Sequence, residues 1–324
     1  MGESIKAVIT GITGQDGPYL AKLLLEKGYK VYGTYRRLST PNFWRLKELG
    51  IYNKVKLLPM DLVDMSSITQ VIRCKPDELY NLAAQSFVEA SFEQPLSTGL
   101  FTGLGVTNIL EAIKQFSPKT KFYQASTSEM FGSSPQPQDE DTPFNPVSPY
   151  ATSKLYAHHI TKIYREAYGL FACSGILFNH ESPLRGEEFV TRKISKAVAE
   201  IWVNDMGHKL YLGNIFARRD WGYAPDYVRS MWMMLNHTEP DDYVISTGES
   251  HTVKDFLEVA FNIIDSYWQE HVITDDNLLR PIDIEHLRGN PKKARKVLGW
   301  EPTVNFRELV RIMVEADVKR LQNE

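Results

Sequence analysis

Short apolar runs alternate with longer stretches of helical periodicity along the first half of this chain. Lys6–Thr10 is β-branched and apolar enough for a buried strand, and the spacing predicts a helix through Tyr19–Glu26 that Gly28 closes. Tyr29–Thr34, Val55–Pro59 and Glu78–Leu82 read as the following strands. Asp64-Met-Ser-Ser67 suits a helix amino terminus before Ile68–Arg73, and Val106–Gln115 has helical spacing. Lys121–Ala125 is the next strand and ends in the polar run Ser126–Glu129. Pro135–Pro149, rich in Pro, Asp and Gln, reads as a long ordered loop that delivers the chain to a helix beginning near Tyr150. A strand at Ala172–Phe178 completes much of the core.

This alternation predicts an α/β fold: a Rossmann-like parallel sheet flanked by helices, with a smaller mixed α/β substrate-binding domain. Residues 1–178 are assigned mainly to the first domain and 179–324 mainly to the second, with some later segments returning to the core. Periodicity does not say which segments return. No short repeat, low-complexity tract or flexible linker interrupts the chain.

A length of 324 residues accommodates both domains. With 43% apolar and 24% charged residues, the composition is that of a globular protein rather than a disordered or fibrous one. A formal net charge of −3 argues against nucleic acid as the main partner, while an anionic small ligand needs only a few placed cations. The start MGESIKAVIT runs straight into a strand without a basic-then-apolar leader, and no uninterrupted apolar stretch of membrane-spanning length is expected. Cys74 and Cys173 are far apart and lack a CxxC pattern, so free thiols in a reducing, cytoplasmic setting are the default. His158, His159 and His180 lack metal-ligand spacing, and no metal is assigned.

Gly11, Gly14 and Gly17 sit between a predicted strand and helix, where glycines permit a tight turn and a close backbone approach to a pyrophosphate. Gln15 and Asp16 are counted with this cofactor cradle, whose helix amides can face the anion. The second strand ends in Gly33-Thr34-Tyr35-Arg36-Arg37, without the acidic residue that would bind an adenosine ribose. Two arginines there can receive a 2′-phosphate, which favours NADP over NAD; the second can instead be a solvated face or a subunit contact. Asp61, with Leu62 beside it, can touch adenine-side groups or cap a helix.

Tyr150 and Lys154 fall at i,i+4 on one helix face. The nearby ammonium is expected to favour the phenolate, fitting Tyr150 for acid–base work, and the lysine can also bond the nicotinamide ribose. YxxxK alone is a weak signal. Its position after a dinucleotide cradle and a polar strand end makes it a catalytic candidate. Glu129, at that strand end, is either a satisfied surface acid or a second acid–base group, which an elimination would need.

With these residues in place, the chain resembles the GDP-mannose 4,6-dehydratase family of extended short-chain dehydrogenase/reductases over nearly its whole length. The resemblance rests on Thr10–Tyr19, Tyr80–Phe87, Phe122–Gly132, Ser148–Tyr156, Gly175–Ser195, Arg219–Tyr227 and Arg280–Trp300. YQASTSEMFG and GILFNHESPLRGEEFVTRKIS are its most specific parts. It implies transfer of the sugar C4 hydride to NADP, loss of the C5 proton and C6 hydroxyl as water, and return of the hydride to C6, so that the cofactor is recycled. It implies that Thr127 bonds the C4 hydroxyl, Tyr150 accepts its proton, and Glu129 handles C5 and the departing hydroxyl. Lys154 would position the cofactor ribose and tune Tyr150.

At the sugar-nucleotide end, the same resemblance places Ser86, Asn179, Glu181 and Ser182 near sugar or pyrophosphate. It makes Lys193, Arg219 and Arg280 the basic contacts of a GDP-sugar and Glu285 a guanine or ribose contact. It also implies a homodimer or homotetramer, with the loop after Arg36 and Arg37 as a subunit contact. Two departures bear on substrate: Phe216 stands where the family pattern carries an acid, and Ala-Thr-Ser follows Tyr150 in place of Gly-Ala/Val-Ala. The rival readings are a dehydratase of another GDP-sugar such as a GDP-heptose, an NADP-dependent reductase or epimerase, and a non-enzymatic NADP sensor.

Overall fold

A computed structural model describes residues 4–204, 209–279 and 281–323. β1 (Lys6–Thr10) leads through the glycine turn into α1 (Asp16–Glu26); β2 (Lys30–Tyr35), α2 (Trp44–Glu48), β3 (Lys56–Pro59), α3 (Met65–Ile72) and β4 (Glu78–Asn81) continue the alternation. The Asp64 carboxylate accepts the amides of Ser66 and Ser67 at 3.2 and 3.1 Å, so α3 starts at the polar run that predicts it.

Beyond β4 come α4 (Val88–Glu93), α5 (Pro95–Thr98) and α6 (Gly105–Phe116), the last two joined through a π-helical stretch at Gly99–Leu104. As linear sequence this segment is broken by Ser, Thr, Asn and Glu, which is why it does not read as a span. As one helical run, Pro95–Phe116 is long and apolar enough to cross a bilayer, and half of it is buried inside the fold. Val106, Ile109, Leu110 and Ile113 of its inner face pack with Ile68 and Ile72 of α3. That is the position of a core helix.

β5 (Lys121–Thr127), α7 (Pro149–Tyr168) and β6 (Ala172–Leu177) follow. Ser148 caps α7 by accepting the Ala151 amide at 3.1 Å, Pro149 occupies its first turn, and Gly169 ends it with φ +66°. The later chain holds β7 (Asn179–Glu181), α8 (Val190–Asn204), β8 (Leu210–Leu212), β9 (Arg218–Arg219), β10 (Trp221–Tyr223), α9 (Ala224–Leu235) and β11 (Asp242–Ile245). α10 (Val253–Asn262), α11 (Lys292–Leu298) and α12 (Phe306–Asn323) complete it.

The seven-stranded sheet has the order β11-β6-β5-β4-β1-β2-β3, every pair parallel. β4 and β6 are buried at every position, as strands covered on both faces require. Two later elements return to this core: β11 pairs with β6, and α9 buries Val228, Met231 and Leu235 in one cluster with Leu20 and Leu24 of α1. A second core gathers Ile194 and Val198 of α8, Phe256 and Phe261 of α10, and Leu309 and Met313 of α12. Each such side chain contributes about 1.5–3 kcal/mol on burial. β1 has β4 on one side and β2 on the other, the switch in winding at which such sheets open a crevice at their carboxyl ends.

Candidate active site

A cleft of about 820 Å³ opens at that switch point. Gly11 has φ +69°, and a Cβ there would stand 2.9 Å from the Ala83 backbone; at Gly17 it would stand 2.7 Å from the Ile12 Cα. Neither position admits a side chain. Thr10 closes the turn from below: its hydroxyl donates to Asn81 Oδ1 at 2.7 Å and accepts the amides of Leu82 and Ala83 at 3.0 and 3.1 Å. Gln15, the residue capping α1, makes no side-chain bond to the first-turn amides, and Gly14 through Gly17 line the cleft. A bare helix terminus on a glycine turn fits the pyrophosphate of a dinucleotide.

The side chains of Gln15 and Asp16 reach toward β7. Gln15 Nε2 donates to the His180 carbonyl at 2.9 Å, and Ser182 Oγ donates to Gln15 Oε1 at 2.8 Å. Asp16 Oδ2 lies 2.8 Å from His180 Nε2. Ser182, predicted beside the sugar nucleotide, is fully buried and lies off the cleft wall, while Asn179 and Glu181 line it.

Arg36 lines the cleft with its guanidinium 5.5 Å from the Phe101 ring centroid. Arg37 borders an adjoining recess with Asp61, Asp64 and Ser67. Asp61 lines both spaces, and its carboxylate accepts the Val63 amide at 3.1 Å. The Leu62 side chain is buried on the cleft wall, and its carbonyl accepts Asn108 Nδ2 at 2.8 Å.

β5 and α7 bring Thr127, Glu129, Tyr150 and Lys154 to the same cleft. Thr127 Oγ1 accepts the Glu129 amide at 3.3 Å, which turns the chain so that both residues line the wall. Burial pushes the Tyr150 phenol well above its ordinary value, outweighing the hydrogen bond from Thr127 that favours the phenolate. This corrects the expectation that Lys154 would lower it. The ammonium donates to the Ala125 carbonyl at 2.8 Å, with Nζ 5.8 Å from the phenol ring centroid. Burial in turn pulls Lys154 down to about 8, with the Asp16 charge opposing.

Ser86, Lys193 and Arg219 also line the cleft. Arg219 donates to the Ile284 carbonyl at 2.7 Å and to Asp283 Oδ1 at 3.1 Å. Glu181 accepts Thr191 Oγ1 at 2.5 Å and pairs with Arg185 Nε at 3.1 Å. Glu285 is exposed and off the cleft wall, as is Phe216. Arg280 lies outside the described residues. The cleft residues not assigned to the site from sequence include His180 and Arg185. Both stand inside the NHESPLRG stretch, but a histidine without metal spacing and an arginine in a loop carry no chemical signature of their own.

The family model for GDP-mannose 4,6 dehydratase matches residues 8–313. GDP-mannose 4,6 dehydratase 1 of Arabidopsis thaliana is 51% identical, covering 98% of this chain and 91% of its own. Among solved structures, UDP-glucose 4-epimerase of Thermus thermophilus in complex with NAD superposes with a TM-score of 0.84 at 26% identity, covering 97% of this chain and 99% of its own. RMD of Pseudomonas aeruginosa complexed with NADPH gives 0.81 at 22% identity, covering 98% and 100%, and shares the fold.

Proposed function

We infer the reaction from one premise: this chain belongs to the GDP-mannose 4,6-dehydratase family. It is a sugar-nucleotide 4,6-dehydratase, converting GDP-mannose to GDP-4-keto-6-deoxy-mannose and water. The observation that carries this reading is the convergence of Thr127, Glu129, Tyr150 and Lys154 on a cleft that also contains the glycine turn.

The enzyme works with a nicotinamide cofactor, which when bound supplies the hydride chemistry, accepting hydride from C4 and returning it at C6. NADP is favoured because Arg36 lies on the cleft wall with Arg37 in the adjoining recess, and the end of β2 carries no acid for a ribose 2′-hydroxyl. Thr127 orients the C4 hydroxyl, and Tyr150 in its phenolate form takes its proton as the C4 carbonyl forms. The carbonyl acidifies C5–H, Glu129 removes that proton and delivers it to the departing C6 hydroxyl, and the proton held by Tyr150 balances the one C5 takes up as hydride reaches C6. Lys154 stays pinned to Ala125 beside Tyr150. Gly11, Gly14, Gln15, Asp16, Gly17, Asp61 and Leu62 form the cofactor side. Ser86, Asn179, Glu181, Lys193 and Arg219 bind the sugar nucleotide, with Ser182 supporting through Gln15; Arg280, outside the described residues, is assigned to the pyrophosphate and Glu285 to guanine or ribose by sequence. Residues 1–178 in this reading supply most of the cofactor half and 179–324 most of the sugar-nucleotide half.

Self-association as a dimer or tetramer is supported by Leu96, Leu100 and Leu104, exposed at four-residue spacing on one helical run, with exposed Tyr156 and Ile163 on the adjacent α7. The free thiols of Cys74 and Cys173 suit a reducing, cytoplasmic setting. The decisive experiment is mass spectrometry after incubation with GDP-mannose and NADP but no reductant. A product lighter by one water, without net NADPH, is expected. Unchanged GDP-mannose, with turnover of a GDP-heptose instead, overturns the substrate assignment.

A further inference from the structure

Arginines from three elements converge on three consecutive carbonyls just after β7. Arg192 of α8 donates to Pro183 O at 2.6 Å and Arg185 O at 3.3 Å; Arg320 of α12 donates to Pro183 O at 2.8 Å. Arg45 of α2 donates from Nε to Leu184 O at 2.7 Å. Carbonyls in a loop ordinarily face water. Here guanidinium forks hold them, and Arg192 and Arg320 are themselves anchored. Asp317 pairs with both Arg192 and Arg320 at 2.6 and 2.8 Å, Glu48 also bonds Arg320, and Ser195 Oγ donates to Asp317 at 2.6 Å.

The segment so held is the one that carries Arg185 into the cleft. Arg185 N bonds Ser182 O at 3.0 Å to close the turn, and its guanidinium lies 3.6 Å over the Phe189 ring while pairing with Glu181. Arg45 has a second prong. Its Nη1 donates to Thr13 O at 2.9 Å, inside the glycine turn. One planar guanidinium therefore joins the peptide that cradles the cofactor phosphates to the peptide that aims Arg185.

We propose that Arg45 is a positioning residue that couples occupancy of the nucleotide cradle to the readiness of the GDP-sugar wall. Pyrophosphate on the glycine turn orders the Thr13 peptide, Arg45 carries that order to Leu184, and the Arg185–Glu181 pair is set before the sugar nucleotide arrives. The second ligand then meets a loop whose ordering cost has already been met. The coupling rests on the dehydratase reading of the cleft and adds to it an order of preference: cofactor-loaded enzyme binds GDP-sugar more tightly than empty enzyme.

Calorimetry of GDP and of NADP binding, each alone and each with the other saturating, reads this coupling from both sides, which must agree. Wild-type protein is expected to bind GDP about tenfold more tightly with NADP present. Arg45→Gln brings that factor to within about twofold of unity, and so does Arg45→Lys, because a point-charge ammonium cannot reproduce the two-pronged fork. Thermal melting of both variants, and their binding of each ligand alone, separates loss of coupling from loss of fold. Arg320→Gln, which releases the Pro183 carbonyl without touching Thr13, keeps the coupling. Wild-type protein that binds both ligands independently overturns the proposal, as does full coupling in both Arg45 variants. Failure of wild-type protein to bind NADP at all overturns the dehydratase reading itself, and the coupling with it.

Discussion

His180 Nε2 lies 2.8 Å from Asp16 Oδ2, while its Nδ1 lies 2.8 Å from the Phe178 carbonyl oxygen. A carbonyl and a carboxylate both accept, so both ring nitrogens donate and the imidazole is charged. Burial alone would discharge His180, but the Asp16 charge outweighs it and raises its pKa above 6.5. Burial likewise favours neutral Asp16, and the His180 charge outweighs it and holds the carboxyl below 3.8. The stabilisation from His180 is full below its unfolded value and is lost as pH rises through its raised folded value; that from Asp16 is full above its unfolded value and is lost as pH falls through its lowered folded value. His180→Gln should therefore cost most between pH 3.8 and 6.5, roughly 3 kcal/mol for a buried pair stripped of one partner. Thermal melts across pH should show the gap from wild type closing on the alkaline side; a gap independent of pH would refute a charged His180.

Tyr150→Phe removes the acceptor of the C4 proton and should lower kcat by at least about 10²-fold. GDP binding should stay close to wild type, because the ring still fills its place beside Thr127. Steady-state turnover with GDP-mannose, paired with GDP calorimetry, checks both halves. Near-normal kcat would remove Tyr150 from the mechanism.

Glu129→Gln should separate the two halves of the reaction. In the proposed mechanism, oxidation at C4 uses Tyr150 and Thr127, while elimination uses the Glu129 carboxylate. Single-turnover absorbance should show reduced cofactor accumulating, with dehydrated product slowed by about 10²-fold or more. Equal slowing of both steps would contradict the division of roles.

Arg36→Ala should shift the ratio of NADP to NAD affinity toward NAD by about tenfold, the scale of one charge-assisted contact. Arg37→Ala should shift it less, since Arg37 borders the recess rather than the cleft. Fluorescence titration of both cofactors decides, and an unchanged ratio in Arg36→Ala would move the 2′-phosphate elsewhere.

The parts of this molecule that were readable beforehand are those whose cause is local. KAVIT, the glycine turn and the Asp64 cap each carry their reason within a few residues, and the predicted strands through Ala172–Phe178 stand where the alternation places them. Tyr150 and Lys154 share a face because α-helical geometry requires it. What could not be read depends on distant partners. The return of β11 to β6 is set by pairing across 68 residues, as in the bond from Ser174 N to Asp242 Oδ1. The direction of the Tyr150 shift depends on how deeply the cleft buries the phenol, and Lys154 is held by Ala125, 29 residues earlier. His180 keeps its charge on burial because Asp16 is folded against it.

Asp242 of β11 accepts both outer nitrogens of Arg165 at 2.9 and 2.8 Å, together with the Ser174 amide. Arg165 belongs to α7, the helix that bears Tyr150 and Lys154. A ribosome making this chain has therefore delivered every reacting group long before the strand that anchors their helix emerges. Until about residue 245 is free, the sheet ends at β6, Arg165 lacks its carboxylate, and one flank of α1 waits for α9. Synthesis of this protein must pass through a stage at which the chemistry is present and its support is not, and a nascent chain stalled there should be open to proteases.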